Sequence, residues 1–299
     1  MLRTTSIELI AHEPFDFLAT VESHGWPQLA PFEWDGRVLS RPESTNDEIV
    51  EIAIRGTSIR ENPARVWIEV RHLGDVAPAD QAGLASVARR MLDLDADLSE
   101  FHKLCRGQPG FESVLEKGKG RVLRSGSLFE DIVKTILTTN VNWAGTKRMA
   151  RRLVDALGTP LPWRPERHTF PTAEQIVAGE ALLREGNLGM GYRTPYILEL
   201  AHRVAAGEID LARWEDPTLS AASLYQQMRG VKGIGDYAAS SLMMLLGRAE
   251  RIPMDSWARK LLREQYFAGR DVTDKELEGA FGEFGRWRGL AFMFYSWRL

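Results

Sequence analysis

The chain has 299 residues, 44% hydrophobic and 26% charged, with a net charge of −3; this is globular composition, long enough for two domains or for one domain with lobes. Its one cysteine, Cys105, excludes an internal disulfide, a multi-cysteine zinc site and an iron–sulfur cluster, and points to a reducing cytoplasm. No apolar run approaches the roughly 20 residues of a membrane span, and no apolar signal-like stretch follows Met1–Thr5.

The charge is unevenly distributed. Residues 1–100 hold 18 acidic and 9 basic side chains, and residues 101–299 hold 23 and 29, a net of −9 against +6. A basic second part is compatible with nucleic-acid binding, and equally with compositional drift.

Residues 6–72 read as β-rich. Trp26-Pro27, Trp34 to Leu39 and Val66 to Val70 are short strand candidates broken by turn residues, and Asp35-Gly36 suits a hairpin turn. Residues 79–105 change to helical spacing, with Leu84, Val87, Ala88 and Met91 on one stripe. From Ser127 the pattern is helix after helix. Ser127-Leu128-Phe129-Glu130 reads as a capping box, as do Thr172 to Gln175 and Thr273 to Glu276. A helix over roughly 142–157 stops at Gly158, another carries Pro195 in its first turn, and Asp216-Pro217 repeats the start signal. The expected fold is α+β: an antiparallel β lobe with a trailing helix (1–115), then an all-helical body (116–299).

The most informative segment follows. A helix beginning near residue 218 meets Gly230-Val231-Lys232-Gly233-Ile234-Gly235, and a second helix starts near Asp236 and ends at Gly247. Glycines at such a turn admit positive φ and let a phosphate approach bare N–H groups, with the helix N-terminus behind them. An ordinary helix–helix turn would have the same sequence. Then comes Ile252-Pro253-Met254-Asp255-Ser256-Trp257. Pro253 holds the preceding residue extended, and Asp255 opens a helix over about 255–266. Taken alone, Asp255 reads as an N-cap.

Together, hairpin (218–247) and Pro-x-Asp resemble the helix-hairpin-helix–Gly/Pro–Asp signature of base-excision DNA glycosylases. The stretch Leu188-Gly189-Met190-Gly191-Tyr192-Arg193, with Phe170-Pro171-Thr172 before it, is similar to 8-oxoguanine DNA glycosylases, and Arg286 to Ala291 is similar to the last helix of alkylpurine glycosylases such as 3-methyladenine DNA glycosylase II. The resemblance implies a DNA-repair enzyme acting on duplex DNA with a damaged base. Asp255 is then the catalytic carboxylate. Gly230, Lys232, Gly233, Gly235 and Arg259 contact the DNA backbone. The carbonyls of Arg229, Val231 and Ile234 hold a Na+ or K+ ion. Leu137 to Asn142 matches a loop that inserts into the duplex, with Asn140 as the wedge. The protein is expected to be a monomer, free of membranes, needing no other cofactor, and near the nucleoid if bacterial.

Two departures bear on the chemistry. Bifunctional members carry a lysine nucleophile where this chain has Tyr237, and a phenol forms no imine. Hydrolysis without strand cleavage is therefore expected. Oxidised-guanine enzymes read the base with a glutamine from the final helix. Here that region is Ala291 to Tyr295, without one. An aromatic pocket of Trp143, Tyr237, Trp257, Phe292 and Trp297 would favour electron-poor alkylated purines. The alternatives are an 8-oxoguanine-type enzyme and a non-catalytic lesion-binding protein. Basic clusters at Lys117 to Arg124, Lys147 to Arg152, Arg259 to Arg263 and Arg286 to Arg288 are candidate phosphate contacts or solvated faces. The six histidines, His24 among them, form no metal-binding pattern.

Overall fold

The computed structural model describes residues 1–186 and 188–298. Five strands, β1 (Arg3–Ile10), β2 (Glu33–Trp34), β3 (Leu39–Ser44), β4 (Ile49–Gly56) and β5 (Arg65–His72), form an antiparallel sheet in the order β1-β5-β4-β3-β2. In β5, Val66, Ile68, Val70 and His72 are buried and alternate with half-buried Arg65, Trp67, Glu69 and Arg71, as a sheet with one face on the core requires. Central β4 is buried through Val50–Ile54 on both faces. A small hairpin, Pro160–Leu161 with Arg164–His168, supplies cover: its buried Arg167 meets buried Glu51 at 2.7 Å. Asp35 sets the turn between β2 and β3 by accepting hydrogen bonds from the N–H groups of Arg37 and Val38.

The hairpin of Pro160–Leu161 with Arg164–His168 interrupts the all-helical body expected over 116–299; the remainder is helical, so the architecture is an antiparallel sheet followed by a mostly helical body. No helix among the described residues is long and apolar enough to cross a membrane. One hydrophobic cluster runs through both parts. The two also share a buried ionic contact. Arg41 on β3 forks onto Glu130 at 2.8 and 3.1 Å, and Lys134 meets the same carboxylate at 2.6 Å, all essentially without solvent. Burial alone would raise Glu130, but the two adjacent cations hold it down at about 2. Removing one member of such a cluster strands buried charge at a cost of about 3–5 kcal/mol. It fixes the helix Leu128–Thr138 against the sheet.

Three local expectations are corrected. Trp26-Pro27 forms a 3-10 turn (Trp26–Gln28), because proline's fixed φ suits a tight turn. Ser127 accepts from the Glu130 N–H, but the reciprocal bond of a capping box is absent since Arg41 and Lys134 engage the Glu130 carboxylate. Asp216 closes the helix Leu211–Glu215 rather than opening the next, which runs Ala221–Arg229 from a Ser220 cap. The boxes at Thr172 and Thr273 are complete.

Candidate active site

Asp255 is positioned by the segments on either side of it. The helix Asp236–Leu245 buries Ala238, Ala239, Leu242, Met243 and Leu245, so its direction is fixed by the core. Gly247, at φ +75°, turns the chain out of that helix. Pro253 is buried, and Asp255 follows in an extended conformation (φ −118°, ψ −174°). Its Oδ1 accepts the Ala258 N–H at 2.7 Å, capping the helix Ser256–Leu261. The residue is thus an N-cap, but that use occupies one oxygen of a half-buried carboxylate. The cap bond fixes the side chain.

Two hollows meet at this side chain. One is a cavity of about 340 Å³ whose wall is mostly apolar: Trp26, Tyr237, Met244, Trp257, Phe292 and Trp297, with His24 among them. The other is a groove of about 860 Å³ running along the glycine hairpin. Thr138, Tyr237 and Asp255 line both.

The cavity wall is braced by hydrogen bonds from its polar edges. Trp297 Nε1 donates to the Phe292 carbonyl at 2.9 Å, with the two rings 5.3 Å apart. Trp26 Nε1 donates to buried Asp131 at 2.9 Å. His24 lies 4.8 Å from the Trp26 ring, and its Nε2 is 2.7 Å from the Leu123 carbonyl, which can only accept. Burial pulls the His24 imidazole down to about 4, outweighing the Leu123 carbonyl and Asp131, so the ring is neutral at pH 7 with Nε2 protonated. Loss of solvent, and then the charge of Asp255, push the Tyr237 phenol up.

Four of the five aromatics expected in the pocket, Tyr237, Trp257, Phe292 and Trp297, line this cavity. Trp143 does not. As the first residue of the helix Trp143–Leu157 it lies across Gly25, where a Cβ would come within 2.4 Å of its ring, and its Nε1 donates to Gln28 at 2.9 Å. His24 and Trp26 were not anticipated. They come from the β lobe, far away in sequence, and the only cue was an aromatic pair beside Gly25 and Pro27.

In the groove, Gly233 is the glycine that the hairpin requires. Its φ is +90°, and a Cβ there would lie 2.7 Å from the Tyr196 ring. Among the described residues, the N–H groups of Gly233 and Gly235 find no backbone acceptor. Gly230 is in ordinary helical geometry. Lys232 is largely exposed, 3.5 Å from Glu199. Arg259 does not face the groove. It pairs with Asp274 at 2.6 Å beside a separate depression lined by Glu250, Arg251 and Lys275.

Asn140 stands exposed at the tip of the loop after Thr138, at φ +48°, a left-handed conformation that asparagine tolerates better than most residues. Its Nδ2 donates to the Tyr192 hydroxyl at 3.3 Å, and that hydroxyl donates to the Thr139 carbonyl at 3.2 Å. The guanidinium of buried Arg193 also holds the Thr139 carbonyl. Tyr192 and Arg193 therefore brace the Asn140 loop. In the first basic cluster the two arginines are structural: Arg121 is buried on the carbonyls of His12, Pro14, Asp93 and Ala96, and Arg124 meets Asp93 at 2.8 Å.

The carbonyls of Arg229, Val231 and Ile234 do not fit an alkali cation. The Ile234 oxygen already accepts a hydrogen bond from the Arg229 guanidinium at 3.0 Å. A cation on that oxygen would have to share it with the guanidinium, which Asp236 holds in place at 3.0 Å.

No protein-family model matches the chain. The chain is 25% identical over 244 residues to DNA-3-methyladenine glycosylase of Bacillus subtilis, covering 77% of each sequence. The 3-methyladenine DNA-glycosylase of Archaeoglobus fulgidus superposes with a TM-score of 0.76 at 20% identity, over 96% of this chain and 97% of its own. The Clostridium acetobutylicum 8-oxoguanine glycosylase/lyase, in complex with double-stranded DNA containing cytosine opposite 8-oxoG, superposes with a TM-score of 0.69 at 19% identity, over 99% and 96%. The sequence relative and the structural neighbours are glycosylases by name, and this chain has the neighbours' fold.

Proposed function

We propose that this chain, folded as the helix-hairpin-helix glycosylases are, removes a damaged base from duplex DNA by hydrolysis. The observation that carries the reading is the position of Asp255, a fixed carboxylate shared by an aromatic cavity and a groove with unpaired backbone N–H groups. In this reading the groove takes the DNA backbone, the base turns out of the stack into the cavity, and Asn140 fills the gap. The N-glycosidic bond breaks with its electron pair leaving on the base. Asp255 stabilises the positive charge that develops on the sugar, and its carboxylate accepts a proton from the water that adds to C1′.

Tyr237 supports hydrolysis without strand cleavage. It lies where the resemblance expects the lysine of bifunctional enzymes, and its raised pKa keeps the phenol protonated. The cavity supports an alkylated purine as substrate. Its π faces attract a cationic base, and neutral His24 adds no opposing charge. Such a base leaves as a neutral molecule, so no general acid is required. The stretch Leu188 to Arg193, which resembles 8-oxoguanine enzymes, braces the Asn140 loop and lends no support to oxidised guanine as the substrate.

The test is base release from a panel of single-lesion duplexes, each with and without alkaline strand cleavage, by the wild type and Asp255→Asn. Release of an alkylated purine by the wild type, with strand breaks only after alkali, is expected. Unchanged release by the variant removes Asp255 from the chemistry. A borohydride-trapped adduct with the wild type refutes the hydrolytic mechanism. Salt-dependent binding without release from any lesion leaves a lesion-binding protein.

A further inference from the structure

We propose that Arg229 is the hairpin's own cation: its guanidinium takes the place an alkali ion would fill, and the groove engages a DNA phosphodiester without a metal ion. This rests on the reading of the hairpin as a DNA-binding element. The guanidinium is held at two points. Nη1 donates to the Ile234 carbonyl at 3.0 Å, and Nε lies 3.0 Å from Asp236 Oδ1. The same Asp236 oxygen accepts the Tyr225 hydroxyl at 2.5 Å, so the anchor is itself held. The Val231 carbonyl, second of the three that would ligate an ion, accepts the Ile234 N–H at 3.1 Å.

What remains of Arg229 suits a phosphate. Its side chain is 38% exposed and lines the groove with Lys232, Gly233 and Gly235. A guanidinium has five N–H donors in a planar fork, so donors remain after the two internal contacts. Gly235 offers no side chain between them: even a Cβ there would stay 3.9 Å from Nη1. One phosphate oxygen can meet the unpaired N–H groups of Gly233 and Gly235 while another meets the guanidinium. An alkali ion would contribute charge in proportion to its occupancy. Arginine contributes it at every salt composition.

The experiment measures affinity for a duplex carrying a tetrahydrofuran abasic-site analogue. Ionic strength is held constant with potassium, sodium or tetramethylammonium chloride. Wild type should bind equally, within about two-fold, in all three, because only general counterion release responds to salt. Arg229→Met should bind about ten-fold more weakly in tetramethylammonium, losing a charge-assisted contact, and recover part of the loss in potassium, where the freed Ile234 oxygen can take an ion. Arg229→Lys, which keeps the charge without the fork, should fall between. Wild-type affinity dropping about five-fold or more from potassium to tetramethylammonium would overturn the inference and leave the glycosylase reading intact. So would Arg229→Met binding as tightly as wild type in every salt. Absence of duplex binding in all three salts overturns both.

Discussion

One run of chain, Arg229–Ala238, supplies half of the described residues that line the hairpin groove, whereas the cavity draws its wall from six separate segments between His24 and Trp297. The groove offers unpaired backbone N–H groups with Arg229 and Lys232 beside them, which on the proposed reading take a phosphodiester whatever base it carries. The cavity offers aromatic faces and few polar atoms, which respond to the shape and charge of one base. Affinity should therefore be set in the groove and selectivity in the cavity, with Asp255, Thr138 and Tyr237 alone among the described residues belonging to both. Substitutions should sort into two classes, and the ones that fail to sort would break the comparison.

The largest effect is expected at the junction. Asp255→Asn keeps a residue able to cap the helix Ser256–Leu261 but removes the negative charge. Base release should fall by about 100- to 10,000-fold with duplex affinity nearly unchanged, since positioned acid–base groups contribute on that scale. Single-turnover kinetics beside a binding isotherm measure both. A parallel loss of binding would mean that the carboxylate acts through the groove.

The next effect belongs to the cavity and reads out in pH. His24 is held down to about 4 in the fold against an ordinary value of 6.5. The unfolded chain therefore takes up a proton that the folded chain refuses between those values, and folding stability falls as pH is lowered through that window. Stability from this residue is complete above pH 6.5 and lost by about pH 4, a difference of up to about 3 kcal/mol. Asp131 and Lys134 also act on the imidazole, in opposite directions. Denaturant unfolding of wild type and His24→Gln at pH 7 and pH 4.5 isolates the term, because only the wild type should show this share of the acid slope. Equal slopes would mean that the imidazole is not desolvated.

In the groove, Gly233→Ala places a side chain at φ +90° and against the Tyr196 ring. A cost of about 1–2 kcal/mol in stability is expected from the left-handed backbone. Duplex affinity should weaken by a similar factor for damaged and undamaged DNA alike. A change in lesion preference would contradict a groove that is blind to the base.

The same contrast explains what the sequence alone conveyed. Gly230 to Gly235 and Pro253 to Asp255 are contiguous, and their residue types follow from local backbone needs, so the two turns were legible in the sequence, while the roles of hairpin and carboxylate came from the family resemblance. Tyr237, Trp257, Phe292 and Trp297 followed because they flank those motifs or lie in or just after the last helix, Arg288–Phe294. His24 and Trp26 could not be found that way. They reach the wall through the packing of the β lobe on the helix Leu128–Thr138, fixed by Arg41 with Glu130 and Trp26 with Asp131, pairs separated by 89 and 105 residues. Such contacts leave no local pattern. Arg121 shows the converse: it reads as part of a basic surface cluster but is consumed in holding four loop carbonyls together.

Trp143 gives the smallest effect and the finest test of the division. By residue type and position beside the Asn140 loop it resembles a base-stacking tryptophan, but its ring covers Gly25 and its Nε1–H is engaged by Gln28. It is half-buried at the start of its helix and absent from the cavity wall. Trp143→Phe keeps most of the apolar cover and gives up one hydrogen bond at an exposed site, so stability should fall by about 0.5–1.5 kcal/mol. The order of preference among lesions should stay as in wild type, because no atom lining the cavity has changed. The indirect route is short, however: Gly25 lies between His24 and Trp26, both in the wall. If Trp143→Phe shifts lesion preference while Gly233→Ala does not, selectivity depends on how firmly the Gly25 turn is held, and the cavity's boundary extends to the tryptophan that covers it.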